Sequence, residues 1–259
     1  MSALALVAHQ FRYDQKAFWR NPASVFFTVM FPVVLLLIFG AVFGGKDVEV
    51  GHGTRIGTTT YYVPAIITLS VIAATMQTLA MSLVIAREDG RLKRSRGTPM
   101  PPWVFIAGRV GNSIVVAVLM LALIAAIGRV LFSVAIPWGD LPAVLVTLAV
   151  GAACFCCLGI ALTAAIPSQD AAAPIVNALL LPLYFLSGVF IPEDELSSGV
   201  ISFANHFPVR DFFEAFFQAY IPAAPGSGID WGNLLVVVLW GLAGLALAIR
   251  FFRWTPRGG

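Results

Sequence analysis

The stretch "NPASVFFTVMFPVVLLLIFGAVFGG", residues 21–45, contains no charged side chain. About 20 apolar residues suffice for a helix to cross a bilayer, so this stretch is long enough to span one. Five further uncharged stretches follow, and they show no period-two alternation typical of a membrane β-barrel. They cover residues 56–86, 110–128, 141–169, 171–192 and 231–249. The sequence therefore predicts an all-α integral membrane protein with six transmembrane helices.

The composition agrees with this class. Hydrophobic residues make up 59% of the chain and charged residues only 11%, whereas about a quarter of the residues in soluble domains are charged. No segment has the composition of a separate soluble domain. We therefore expect residues 1–259 to form a single transmembrane domain.

The orientation in the membrane follows from the distribution of lysine and arginine, which favour cytoplasmic loops. An even number of spans puts both termini on one side. If that side is the cytoplasm, it holds twelve of the sixteen basic residues: Arg12, Lys16, Arg20, Arg87, Arg91, Lys93, Arg94, Arg96, Arg109, Arg250, Arg253 and Arg257. The other side then holds nine of the thirteen acidic residues. We predict a multi-pass protein of the cell membrane with both termini in the cytoplasm.

Residues 2–20 are predicted to form an interfacial helix before the first span. Apolar side chains recur at near-helical spacing from Leu4 to Phe18, and basic residues occupy other faces. Asn21 and Pro22 end this helix and begin the first span, because the residue before proline avoids helical geometry while proline suits a first turn.

The sequence offers no catalytic or metal site. "GAVFGGKD", residues 40–47, has the spacing of a phosphate-binding loop but carries Asp47 where Mg²⁺ requires serine or threonine. Cys154, Cys156 and Cys157 lie within the fourth span among small residues, and we interpret them as packing residues, since a structural metal site needs about four ligands. Acidic, basic or histidine side chains, which ion-coupled pumps carry inside the membrane, are nearly absent from the spans. We expect a chain that is not an enzyme and takes its energy from elsewhere.

The stretch "AREDGRLKRSRGTP", residues 86–99, concentrates charge between two apolar runs. It could be a topology anchor alone, but an anchor does not require Glu88 and Asp89 to precede the basic residues. Acidic residues in a first turn and basic residues in a last turn suit a helix dipole. We therefore predict a short helix over 87–96 that docks on a soluble partner.

This stretch resembles the signature of permeases of type-2 ABC exporters, R-E-x-G-x-L-x-x-L-x-x-T-P. Arg87, Glu88, Gly90, Leu92, Thr98 and Pro99 match, and Ser95 replaces the second leucine. A second similarity lies in "LLLPLYFLSGVFIPEDELSSGVISFANHFPVRDFFEAF", residues 179–216, where Phe207-Pro208 replaces the usual Asn-Pro. The resemblance covers essentially the whole chain.

The resemblance implies a division of labour. Segment 87–99 would be the cytoplasmic coupling segment, seated on a dimer of a separate ABC ATPase that binds ATP and Mg²⁺, so that this chain binds no cofactor. A second permease chain, identical or related, would complete the path through the lipids of a bacterial membrane. No nucleic acid would be among its partners. The predicted coupling residues are Arg87, Glu88, Asp89, Gly90, Arg91, Leu92, Lys93 and Arg94.

Residues 192–229 would form an extracytoplasmic re-entrant segment of two short helices between spans five and six. A phenylalanine stripe at helical spacing follows Pro208. Candidate residues of a substrate path are Tyr184, Phe185, Phe190, Phe212, Phe213 and Phe216. Packing against neighbouring spans would explain the same residue types, so both interpretations stay open.

Apolar and aromatic walls favour export of a hydrophobic or amphipathic substrate, such as a drug, lipid or glycolipid. Polysaccharide export by the same family is an alternative. A membrane channel or scaffold without an ATPase is another, and it predicts that Glu88, Asp89 and Gly90 tolerate replacement.

Overall fold

Six helices long and apolar enough to cross a membrane occur among the residues that the computed structural model describes, 3–45, 47–50, 54–96, 102–190, 198–221 and 228–255. We number them spans 1 to 6. They run Pro22–Phe43, Thr58–Glu88, Pro102–Phe132, Leu141–Leu162, Gln169–Leu186 and Trp231–Phe251. The prediction of an all-α integral membrane protein is confirmed.

Shorter elements connect the spans. The N-terminal helix is Ala3–Trp19, the basic helix is Arg91–Arg96, and two short helices, Ser198–Ala204 and the Phe-rich helix Pro208–Tyr220, lie between spans 5 and 6. Strands Asp47–Val50 and Thr54–Gly57 form an antiparallel hairpin with Asp47 opposite Gly57. Parts of the predicted segments 87–99 and 192–229, namely 97–99, 192–197 and 222–227, lie outside the described residues.

Side chains placed immediately before three spans fix where those helices begin. Asn21 accepts a hydrogen bond from the Ser24 amide at 3.2 Å, with Pro22 in the first turn as predicted. Ser168 and Asp230 cap spans 5 and 6 in the same way. Each cap satisfies an amide that the helix itself leaves without a partner.

Span 2 lies at the centre of the helix bundle. In its most apolar part 72% of the residues are buried, against 22% in each of spans 1, 5 and 6 and 28% in span 3. Spans 1 and 5 contact span 2 on one side and leave large apolar side chains exposed on the other, among them Phe27, Phe31 and Phe185. This chain therefore leaves broad apolar faces of spans 1 and 5 uncovered.

Spans 1 and 2 each contain a π-helical turn. The turns are Phe26–Met30 in span 1 and Ala73–Gln77 in span 2. Beside them the hydroxyl oxygens of Thr28 and Thr78 lie 3.4 Å apart, and Thr78 also donates to the Ala73 carbonyl. A wider turn frees backbone carbonyls for such side-chain contacts, and π-turns are frequent at functional sites.

Spans 4 and 6 pack closely because span 6 presents glycine to span 4. A Cβ atom at Gly241 would lie 3.2 Å from the Cα of Cys154, and one at Gly244 would lie 2.9 Å from a methyl group of Leu158. Gly151 on span 4 is likewise in contact with the ring of Phe212 in the Phe-rich helix. Spans 4 and 6 and the Phe-rich helix thus form one packed unit, which we call the span 4–6 block.

The bundle has two chemically different ends. At the basic end, the N-terminal helix packs along span 3 through Gln10 against Gly108, and the basic helix lies near the end of span 6. At the opposite end lie the hairpin and the Phe-rich helix, where the Tyr61 hydroxyl donates to the Gly188 carbonyl. The charged stretch thus lies at the basic end, and the Phe-rich helix lies at the opposite end.

Candidate functional site

The charged stretch is divided between two helices. Arg87 and Glu88 are the last residues of span 2, and a new helix begins only at Arg91. The predicted single helix over 87–96 is therefore wrong. Gly90 causes the break, since it adopts a left-handed backbone (φ +68°) and its amide donates to the Arg87 carbonyl at 3.0 Å, a common helix ending.

Arg87 points into the protein. Its side chain is 2% exposed, and its Nε donates to Glu88 at 2.7 Å. Its two terminal nitrogens donate to the backbone carbonyls of Thr163 and Ile166, at 2.9 and 2.8 Å. These carbonyls follow the end of span 4, where the helix dipole favours a cation. The sequence interpretation placed Arg87 on a docking surface and missed this role, because positions 163 and 166 are remote in the chain.

Leu92 anchors the basic helix to the spans. It is fully buried in a small apolar cluster made by spans 2, 3 and 4. Phe252 and Trp254, which follow span 6, pack against the same cluster. The buried members of the cluster are Leu79, Leu83, Ala86, Leu92, Phe105 and Cys156. Burial of Leu92 fixes which face of the basic helix turns outward.

The outward face carries both signs of charge. Arg91 and Asp89 form an ion pair of 2.6 Å with 55% and 40% of their side chains exposed, and Arg94 donates to the Asp89 carbonyl at 3.1 Å. Lys93 is also exposed. Of the predicted coupling residues, these four share the surface, while Arg87 and Leu92 are buried and Glu88 and Gly90 are half-buried. We call Asp89, Arg91, Lys93 and Arg94 the charged face.

The N-terminal helix carries a half-buried carboxyl, that of Asp14, at the same end. Burial raises the pKa of Asp14 above its usual range, opposed by the positive charge of Arg109 on span 3 and a hydrogen bond from Gln10 at 3.0 Å. The close approach of Gln10 to Gly108, together with the attraction between the charges of Asp14 and Arg109, holds the helix against span 3.

The aromatic residues predicted to line a substrate path separate into two groups. Phe212, Phe213 and Phe216 are buried in the core, and Tyr184 is 5% exposed. Phe185 is 49% exposed and stacks on Phe190 with ring centroids 4.9 Å apart. The burial of the first group supports the packing alternative, and of the six candidates Phe185 and Phe190 keep accessible surface.

A polar pair in the middle of the spans was missed from the sequence. Gln77, in the π-turn of span 2, donates to Asn177 of span 5 at 3.0 Å, on an exposed side of the chain. Both residues interrupt apolar runs, and that interruption is the signal that could have found them. They put hydrogen-bonding groups beside exposed apolar surface, between spans that this chain leaves partly uncovered.

At the opposite end a second buried arginine meets several acids. Arg210 is 7% exposed and pairs with Glu214 at 2.6 Å. Asn233 joins Glu214 to Asp230, the cap of span 6, at 3.1 and 2.9 Å. Asp211 lies beside them with one carboxyl oxygen buried and without a hydrogen-bond partner among the described residues.

Comparison with known proteins gives the family. A comparison with curated proteins finds no match. A family model described as ABC-2 type transporter matches residues 5–221, which include most of the N-terminal helix, the charged stretch, spans 1 to 5 and the Phe-rich helix. With its six spans and this match over most of its length, the chain belongs to the ABC-2 type transporter family, as a permease subunit.

Proposed function

We propose that this chain is the membrane subunit of an ATP-driven exporter whose ATPase is a separate cytoplasmic protein bound at the charged face. Membership of the family implies an ABC ATPase partner. The observation that carries the site is the two-sided basic helix: Leu92 is fully buried, while Arg91, Lys93 and Arg94 are exposed. A surface of mixed charge on a firmly anchored helix suits docking by complementary charges.

In this proposal the basic end faces the cytoplasm, together with both termini, as the bias of lysine and arginine indicates. ATP and Mg²⁺ are held by a dimer of the ATPase and not by this chain. A second permease chain, identical or related, covers the exposed apolar faces of spans 1 and 5.

The proposed substrate is hydrophobic or amphipathic, such as a drug, lipid or glycolipid, and leaves the cytoplasm or the inner leaflet. The support is the combination of exposed apolar side chains with the pair Gln77–Asn177 at the middle of spans 2 and 5. Apolar walls with a few placed polar groups are the usual composition of small-molecule sites.

The test is purification of the tagged chain from native membranes in mild detergent, with bound soluble proteins identified by mass spectrometry. The variant Lys93→Glu, Arg94→Glu reverses two charges on the charged face. The matched control Arg250→Glu, Arg253→Glu reverses two exposed charges near the end of span 6. We expect an ABC ATPase with the parent and the control but not with the variant.

Equal loss from variant and control would mean that overall charge matters and the charged face does not. Absence of an ATPase from the parent itself would contradict the exporter and favour a channel or scaffold. An ATPase with an added sugar-binding domain would favour polysaccharide as the substrate.

A further inference from the structure

The side chain of Arg87 joins two parts of the bundle that are otherwise separate in sequence. Three of its nitrogens are within hydrogen-bond distance of an acceptor: Glu88 on its own helix, and the Thr163 and Ile166 carbonyls beyond span 4. Its side chain is 2% exposed, so solvent competes little for these bonds. The guanidinium therefore fastens the end of span 2 to the end of span 4.

The end of span 4 belongs to the span 4–6 block. Gly241 and Gly244 bring span 6 into close contact with span 4, and Gly151 brings in the ring of Phe212. Close-packed contacts of this kind transmit displacement and do not absorb it. A movement at Thr163 therefore reaches the Phe-rich helix at the opposite end.

The charged face lies directly beside Arg87. Only Glu88, Asp89 and Gly90 separate Arg87 from the basic helix, and Arg94 ties that helix back by donating to the Asp89 carbonyl at 3.1 Å. A force applied to the charged face therefore acts first on the turn that holds Arg87.

We propose that Arg87 is a positioning residue that links the basic helix to the span 4–6 block, so that displacement of the charged face moves the Phe-rich helix. The inference deepens the proposed function and rests on it. It assigns Arg87 to force transmission inside the chain, whereas Lys93 and Arg94 contact the ATPase. Lysine cannot replace it, because an ammonium lacks the planar fork that reaches two carbonyls and a carboxylate together.

The test compares Arg87→Lys with Arg250→Lys, the same substitution at an exposed arginine near the same end. Each chain is purified with its ATPase and carries a fluorescent label at Asn205→Cys, an exposed position just before the Phe-rich helix, with the three native cysteines replaced by alanine. The probe is Mg·ATP with vanadate, which traps the ATPase after hydrolysis. The readouts are the amount of ATPase retained and the change in label fluorescence.

We expect all three complexes to retain the ATPase within about twofold. The fluorescence change should be the same in the parent and Arg250→Lys and at least about fivefold smaller in Arg87→Lys. A merely structural defect would lower the yield of complex but not the change per complex. A full fluorescence change in Arg87→Lys, or loss of the ATPase from it, would overturn the inference.

A second measurement separates this inference from the proposed function. In the chain without ATPase, spin labels at Lys93→Cys and Gln169→Cys report the distance from the basic helix to the start of span 5, just beyond the Arg87 acceptors. We expect a narrow distribution in the parent and a broad one in Arg87→Lys. Equal distributions would refute the link even if the ATPase binds. Should the parent bind no ATPase, the proposed function and force transmission fail together, while the spin labels still decide the link.

Discussion

The two ends of the bundle each contain a buried arginine, but the surroundings differ. At the basic end, Arg87 pairs with one carboxylate and two carbonyls at the end of span 4. At the opposite end, Arg210 pairs with Glu214 while Asp211 and Asp230 lie close by. The first arginine is balanced partly by a helix dipole, and the second by an excess of acid. The surface of the basic end therefore stays positive, whereas closely spaced carboxylates surround the buried arginine of the opposite end.

The crowding is visible in Asp211. Burial raises its pKa to about 6, and the negative charge of Glu214 adds to the effect. Asp211 also stands in the first turn of the Phe-rich helix, where the helix dipole favours a negative charge. The loss of solvation outweighs that benefit, so Asp211 makes the opposite end sensitive to pH.

The largest expected effect is at the basic end. Arg87→Met leaves Glu88 without its cation and two buried carbonyls without donors, so the free energy of unfolding should fall by about 3 kcal/mol. Thermal and denaturant unfolding in detergent measures it. The control is Arg250→Met at an exposed site, expected to change it by less than about 0.5 kcal/mol. Similar small losses in both would show that Arg87 is not a structural link.

Leu92 tests the anchoring of the same end by apolar contact. Leu92→Ala empties part of a closed cluster and should lower the free energy of unfolding by about 2 kcal/mol. The same unfolding assay applies, with the exposed Lys93→Ala as the neighbouring control. If the two variants are equally stable, the basic helix is not held by Leu92, and the orientation of the charged face is not fixed.

The opposite end should respond to pH through Asp211. Between the usual aspartate pKa of 3.8 and about 6, the folded chain holds a proton that the unfolded chain has lost. Its contribution to stability is therefore complete below the lower value and is lost as the pH rises through the higher one. Asp211→Asn should raise the free energy of unfolding at pH 7.5 by about 1–2 kcal/mol and flatten its pH dependence.

The matched variant is Glu214→Gln, which weakens the bond to Arg210 and should destabilise the chain at pH 7.5. Unfolding measured from pH 4.5 to 7.5 decides the sign. If Glu214→Gln stabilised the chain and Asp211→Asn did not, the unfavourable negative charge would lie on Glu214 and not on Asp211.

The smallest expected effect on stability is at the charged face. Lys93→Ala, Arg94→Ala removes exposed charges and should change the free energy of unfolding by less than about 0.5 kcal/mol. The same variant should weaken ATPase binding, measured by co-purification. A stability loss above 1 kcal/mol would show that these residues hold the fold, against their assignment to docking.

The spans could be predicted because length and polarity alone determine them. Asn21 and Pro22 even located the start of span 1. Span 2 was expected to end near residue 86 but continues to Glu88. The charge of Arg87 is paired inside the protein, so this residue does not mark the point where the helix enters water. The hairpin of strands Asp47–Val50 and Thr54–Gly57 was not predicted, because each strand has only four residues and the surrounding stretch is rich in glycine.

The site was harder to predict than the fold. The motif located the charged stretch but gave every residue in it one role, whereas the turn at Gly90 and the burial of Leu92 divide them. The phenylalanine stripe predicted an amphipathic helix, and Pro208–Tyr220 is one. The stripe could not predict which span this helix packs against, because the contact of Phe212 with span 4 depends on the small size of Gly151.

The π-turn Ala73–Gln77 has a consequence for any helical-wheel drawing of span 2. An α-helix advances 100° per residue, and a π-turn takes up one residue more than an α-turn does. Side chains after Gln77 are thus out of phase, by about one position, with those before Ala73. Span 2 belongs on two wheels. On a single wheel the angular position of Arg87 is misplaced by about 100° relative to residues in the first half of the span.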